Sequence, residues 1–72
     1  MHALDALDLT VNGDLKAVPQ GTTVATLLDH LRLDARKVAV ELNEAIVPRS
    51  TYGAVTLNGG DRIEIVHFIG GG

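Results

Sequence analysis

The sequence predicts an α+β fold, a mixed sheet of four to five strands packed on one main helix. Three observations predict it. Two strand-like stretches flank an Asn-Gly pair near the amino terminus, one amphipathic helical stretch follows, and further alternating stretches come after it. A hairpin followed by a helix lets a later strand lie parallel to the first, with the helix as the crossover.

Residues 7–12, LDLTVN, place Leu7, Leu9 and Val11 on one face and Asp8 and Thr10 on the other, the pattern of a half-buried strand. Asn12-Gly13 follows. Both central residues of a type I′ turn need φ > 0, and Asn-Gly meets that need best. Residues 15–18, LKAV, are the returning strand, ended by Pro19 and Gly21. In TTVATLLDHL, Thr22 or Thr23 can cap the first helical turn with its hydroxyl. Val24, Leu27, Leu28 and Leu31 then fall on one helical stripe, with Asp29 and His30 off it. A helix of two to three turns needs tertiary packing to persist.

Residues 38–42, VAVEL, alternate again, with Val38, Val40 and Leu42 in phase. Asn43 and Glu44 form a turn before the short apolar piece AIV, which Pro48 stops. Residues 49–57 have too weak a period for a strand or a long helix and read as a loop or one helical turn. NGGD at 58–61 is a turn, and 62–69 form the last strand. First and last strands side by side as a central parallel pair give the β-grasp (ubiquitin-like) arrangement. The expected core is Leu9, Val11, Val24, Leu27, Leu28, Leu31, Val38, Val40, Ile63 and Ile65.

A chain of 72 residues reads as one domain, 1–72, that buries only about 60% of its unfolded surface. With Tyr52 and Phe68 as its only aromatics, its core must be aliphatic. No cysteine is present, so neither a disulfide nor a thiol nucleophile is available. The six cations (Lys16, Arg32, Arg36, Lys37, Arg49, Arg62) are dispersed in a chain of net charge −3, which argues against nucleic acid as a partner. No apolar run approaches the roughly 18–20 residues of a membrane span. MHALDALD lacks the basic region of a secretory signal. The expectation is a cytoplasmic protein without membrane contact, monomeric when free.

Catalytic constellations are lacking. His2, His30 and His67 have no ligand-like spacing, so no metal site is expected. Ser50 is the only serine and has no recognisable base. NGGD lacks the GxxxxGK[ST] context of a phosphate loop. No catalytic residue is assigned, and any part in catalysis would be as a substrate or carrier.

The end of the sequence, HFIGGG at 67–72, bears on that role. Chain ends often fray, which is the plain explanation of a glycine run. The alternative is a flexible tail, 70–72, whose carboxylate is the working group. A carboxylate resists attack until it is activated, for example as an acyl-adenylate. Glycine suits a narrow activating channel because it lacks Cβ and accepts φ values closed to other residues. Upstream, Ile63 and Ile65 take the core phase, so Glu64, Val66 and Phe68 point to the opposite side of the sheet. With one helix predicted, nothing else in the chain covers that side. Val66 and Phe68 then form a partner-docking patch, since exposed apolar patches mark interaction sites and aromatics are common anchors. The competing reading folds Phe68 over the sheet edge as part of the core.

From Leu7 to Gly72 the chain resembles the ThiS-type sulfur carriers of thiamine biosynthesis, ubiquitin-like β-grasp proteins. The resemblance rests on LTVNG at 9–13, GTTVATLLDHL at 21–31, VAVELNEAIVPRS at 38–50 and GDRIEIVHFIGGG at 60–72. VPRS and the Gly-Gly ending are its most specific parts. It implies that the carrier binds no cofactor itself. A ThiF-like adenylyltransferase would use ATP to adenylate the carboxylate of Gly72. Sulfur would replace AMP to give a thiocarboxylate, the donor to a ThiG-like thiazole synthase. Gly71 is then the other half of the family's ending, Gly70 an additional glycine before it, and residues 1–6 an extension without assigned function. The small subunit of molybdopterin synthase shares fold, ending and chemistry, although VPRS and the short length favour thiamine. A non-catalytic ubiquitin-like binding module is the reading from another class.

Overall fold

The computed structural model describes residues 6–68; residues 1–5 and 69–72, and with them Gly70, Gly71 and Gly72, lie outside the described residues. Among the described residues the chain forms β1 (Ala6–Val11), β2 (Asp14–Pro19), α1 (Val24–His30), β3 (Val38–Leu42), β4 (Ala45–Ile46) and β5 (Arg62–His67). Short 3-10 turns occupy Ala35–Lys37 and Arg49–Thr51. The sheet order is β2-β1-β5-β3-β4, with β1 and β5 parallel at its centre and every other neighbouring pair antiparallel.

The expected hairpin is present, with φ of 51° at Asn12 and 87° at Gly13, both in the left-handed region that a type I′ turn requires. The first strand differs from expectation by one residue at each end, because Ala6 pairs with Pro19 and Asn12 belongs to the turn. Thr23 rather than Thr22 caps α1. Its hydroxyl accepts from the Thr26 N–H at 3.2 Å, and the Thr26 hydroxyl accepts from the Thr23 N–H at 2.8 Å, a reciprocal cap. Thr22 is buried instead, its hydroxyl donating to the Pro19 carbonyl at 2.6 Å. The helix ends in a Schellman arrangement. The Leu33 N–H reaches the Leu28 carbonyl and the Arg32 N–H reaches the Asp29 carbonyl, with Arg32 at φ 60°.

The apolar face of the sheet packs on α1. Leu9, Val11, Val18, Val38, Val40, Ile63 and Ile65 from the strands meet Val24, Leu27 and Leu28 from the helix. Leu31, expected in the core, is only partly buried, because α1 stops at His30 and the backbone turns away at Leu31 and Arg32. Val47, Tyr52 and Leu57 close the core from the irregular stretch between β4 and β5. That stretch is tied to the start of α1 by backbone bonds from Val24 to Val55, Ala25 to Tyr52 and Leu57 to Thr22. The last strand is shorter than the expected 62–69 and ends at His67.

Candidate functional site

The central strand β5 carries the chain to Phe68, the last described residue. Its two flanks are held unequally. On the β1 side the ladder is short, pairing Thr10 with Arg62 and Val11 with Ile63. The Asn12 side chain then takes over. Its Nδ2 donates to the Ile65 carbonyl at 3.1 Å, and its Oδ1 accepts from the Ile65 N–H at 2.7 Å. An amide side chain thus stands in for the next peptide of β1. On the β3 side pairing runs from Leu42–Ile63 to Val38–His67, and the Phe68 N–H continues it by donating to the Lys37 carbonyl at 2.9 Å. The end of β5 therefore outruns β1 and rests on β3.

Alternation in β5 sorts its side chains. Ile63 and Ile65 are buried, whereas Val66 and Phe68 are 62% and 54% exposed. Opposite the helix, Val66 pairs with Ala39, Glu64 with Glu41, and Glu41 in turn with Ile46, which is also exposed. These residues line a shallow depression of about 430 Å³. Arg62 and Glu44 pair at 2.9 Å along its border. The turn at Asn43 and Glu44 locks onto the start of β5. Asn43 Oδ1 accepts from the Arg62 N–H at 2.9 Å, and its Nδ2 donates to Asp61 at 3.0 Å.

The near end of β3 has its own fastening. Arg49 donates from Nε to the Ala35 carbonyl at 3.0 Å and from Nη2 to the Val38 carbonyl at 3.2 Å. Its guanidinium carbon lies 5.8 Å from the centroid of the Phe68 ring. The Asp34 side chain caps the 3-10 turn. It accepts from the Arg36 backbone at 2.9 Å and from the Arg36 guanidinium at 3.1 and 2.9 Å, and these bonds hold its carboxyl down at about 2.

Sequence reasoning assigned Val66 and Phe68, which lie near each other at the end of β5, and Gly70, Gly71 and Gly72, which fall outside the described residues. It missed Asn12 and Arg49 as structural devices. Asn12 was legible only as a turn residue, and Arg49 only as part of VPRS. His30 and His67 are exposed and sit on different elements. Among the described residues no group of three or more His, Asp or Glu is placed to hold a metal, and no helix is long and apolar enough to cross a membrane.

A five-stranded mixed sheet with a parallel central pair, packed on one crossing helix, defines a ubiquitin-like β-grasp protein. The model of the ThiS family matches residues 9–72. The crystal structure of the thiamine biosynthesis protein ThiS from Geobacter metallireducens superposes with a TM-score of 0.79 at 38% identity, covering 92% of this chain and 100% of that one. "Sulfur carrier protein ThiS" of Bacillus subtilis is 42% identical over 65 residues, 89% of this chain and 98% of the relative. A thiazole synthase of Paramagnetospirillum magneticum is 50% identical over 66 residues, where the chain covers 20% of the relative's length. The chain belongs to the ThiS family. The chain spans 20% of the length of the two thiazole synthases it matches.

Proposed function

We propose that this chain is a sulfur carrier of thiamine biosynthesis whose reactive group is the carboxylate of Gly72. The match of the family model across residues 9–72 carries the reading. A ThiF-like adenylyltransferase is the activating partner and ATP its co-substrate. The carboxylate attacks the α-phosphorus of ATP and pyrophosphate leaves, giving an acyl-adenylate. A sulfur nucleophile at the oxidation level of hydrosulfide then attacks the carbonyl carbon and AMP leaves, giving the thiocarboxylate. This group donates its sulfur to a ThiG-like thiazole synthase. Thiazole synthases that contain a stretch 50% identical to this chain support the thiazole pathway over molybdopterin synthesis.

Val66 and Phe68 form the docking patch in this reading, supported by their exposure next to the end of β5. Phe68→Ala is expected to weaken partner affinity by about tenfold, about 1.4 kcal/mol, with little change in thermal stability.

ATP–pyrophosphate exchange with the activating enzyme tests the chemistry. The full chain is expected to support exchange, and a variant lacking Gly72 is expected to fold by circular dichroism yet support none. Normal exchange by the shortened chain removes Gly72 from the reaction. Mass spectrometry of the carrier isolated from its own cells is expected to find one sulfur in place of one oxygen at the terminus.

A further inference from the structure

VPRS, residues 47–50, is the most specific internal motif of the sequence, yet the chemistry at Gly72 gives it no work. Its arginine has an arrangement that bears on the end of β5. The two carbonyls it bonds, of Ala35 and Val38, bracket the 3-10 turn at Ala35–Lys37. Lys37, inside that bracket, supplies the carbonyl that holds the Phe68 N–H. The same guanidinium faces the Phe68 ring. Arg49 thus touches the support on which Phe68 hangs and also Phe68 itself.

The brace matters because of where it sits. Beyond Ile65, β5 has no ladder partner on the β1 side among the described residues, so its last residues depend on the start of β3 alone. An arginine suits the position better than a lysine. Its planar fork donates to two carbonyls in fixed directions while its face stays available to an aromatic ring.

We propose that Arg49 is a positioning residue for the docking patch, fixing the Phe68 ring and the Phe68 backbone against the start of β3. This rests on the assignment of Val66 and Phe68 as the docking patch and of Gly72 as the reactive residue. Gly72 stands four residues past Phe68, within roughly 14 Å of it by covalent geometry alone. If the brace is lost, the Phe68 ring is no longer held in place and docking at the partner's surface weakens. The effect falls on carrier binding, not on the chemical step.

The test compares wild type, Arg49→Met, Arg49→Lys, Phe68→Leu and the double variant Arg49→Met with Phe68→Leu. Amide hydrogen exchange at Phe68 is followed by NMR, and KM and kcat for the carrier come from ATP–pyrophosphate exchange. Arg49→Met is expected to speed exchange of the Phe68 amide and to raise KM about threefold or more while kcat stays within about twofold. Arg49→Lys is expected to behave the same way, and it supplies the comparison if the methionine variant does not fold. In the Phe68→Leu background Arg49→Met is expected to add less to KM than it does alone, because the ring contact is already gone while the backbone support at Lys37 remains. An unchanged Phe68 amide and KM in both Arg49 variants overturns the proposal. So does an Arg49 effect of equal size with and without Phe68, which would place the arginine in direct contact with the enzyme. Absence of exchange activity in the wild type would defeat the Gly72 assignment instead, while the Phe68 amide would still judge the brace.

Discussion

Asn12 offers a direct measure of how firmly the central strand is held. Its two side-chain bonds to Ile65 are the only polar link between the β1 hairpin and β5 past Ile63 among the described residues. Asn12→Gly tests them with the least collateral damage, because glycine tolerates φ of 51° without strain. Two hydrogen bonds at about 0.5–1.5 kcal/mol each put the loss near 1–3 kcal/mol. The added freedom of glycine in the unfolded chain contributes about 0.5–1 kcal/mol more. Asn12→Ala also loses both bonds and forces a left-handed backbone on a residue with Cβ, costing about 1–2 kcal/mol for that alone. A domain of this size has about 4–11 kcal/mol in total, so either variant forfeits a substantial share.

Asn12→Asp separates donor from acceptor. The carboxylate can still accept from the Ile65 N–H, but its second oxygen now opposes the Ile65 carbonyl. Protonation restores a donor there, so folding favours the protonated form and raises the pKa of the new carboxyl above its unfolded value. The variant's deficit against wild type is therefore expected to be largest at neutral pH and to shrink as pH falls toward the ordinary carboxylate range, about 3.9. Urea denaturation of the three variants, with amide exchange at Ile65, is the assay. A loss in Asn12→Gly below about 0.5 kcal/mol, the lower bound for one such bond, would refute the claim that the amide extends the sheet.

Two further outcomes follow from the packing and the capping. Leu28, 1% exposed on the inner face of α1, is expected to cost about 2–5 kcal/mol when changed to alanine, read from urea midpoints at constant m-value. The Asp34 carboxyl is expected to titrate at about 2 by NMR, well below its ordinary 3.8, because Arg36 donates to it from both side chain and backbone. Its depressed pKa adds stability that is complete above the ordinary value and is lost as pH falls through the folded one, and Arg36→Gln is expected to move the titration back upward.

The regular part of the fold was legible because each element repeats a simple period. Alternation marked β1, β3 and β5, and the 3.6-residue stripe marked Val24, Leu27 and Leu28. In the stretch from Val47 to Leu57 the single helical turn was legible, but its three core residues were not, since they are spaced by five and follow no period. They are placed by a 3-10 turn and by single backbone bonds to the start of α1. Val18 was missed because apolar residues lie on both faces of β2, leaving Leu15 exposed and Val18 buried. Helix termination was obscured because Arg32, not glycine, takes the left-handed position. Of the candidate site, the outward phase of Val66 and Phe68 could be read from alternation. The fastening by Arg49 could not, because it depends on carbonyls eleven and fourteen residues away.

These fastenings share a purpose that the alternation of β5 makes plain. Ile63 and Ile65 serve the core, while Val66 and Phe68 face outward. A slip of one residue in register would exchange the two sets, exposing the isoleucines and turning Val66 inward. Stability and the presentation of the outer face are therefore set by the same register, and neither can be relaxed without losing the other. The short parallel ladder to β1 is a weak guard, with two residue pairs. Asn12 extends it to Ile65 on one flank, Asn43 fixes the Arg62 N–H at the strand's start, and the Lys37 carbonyl holds Phe68 at its end. Each bond is specific to one residue of β5 or to Phe68 just after it. Together they discriminate against neighbouring registers in a way that the largely aliphatic core, tolerant of exchanges among residues of similar size, does less sharply.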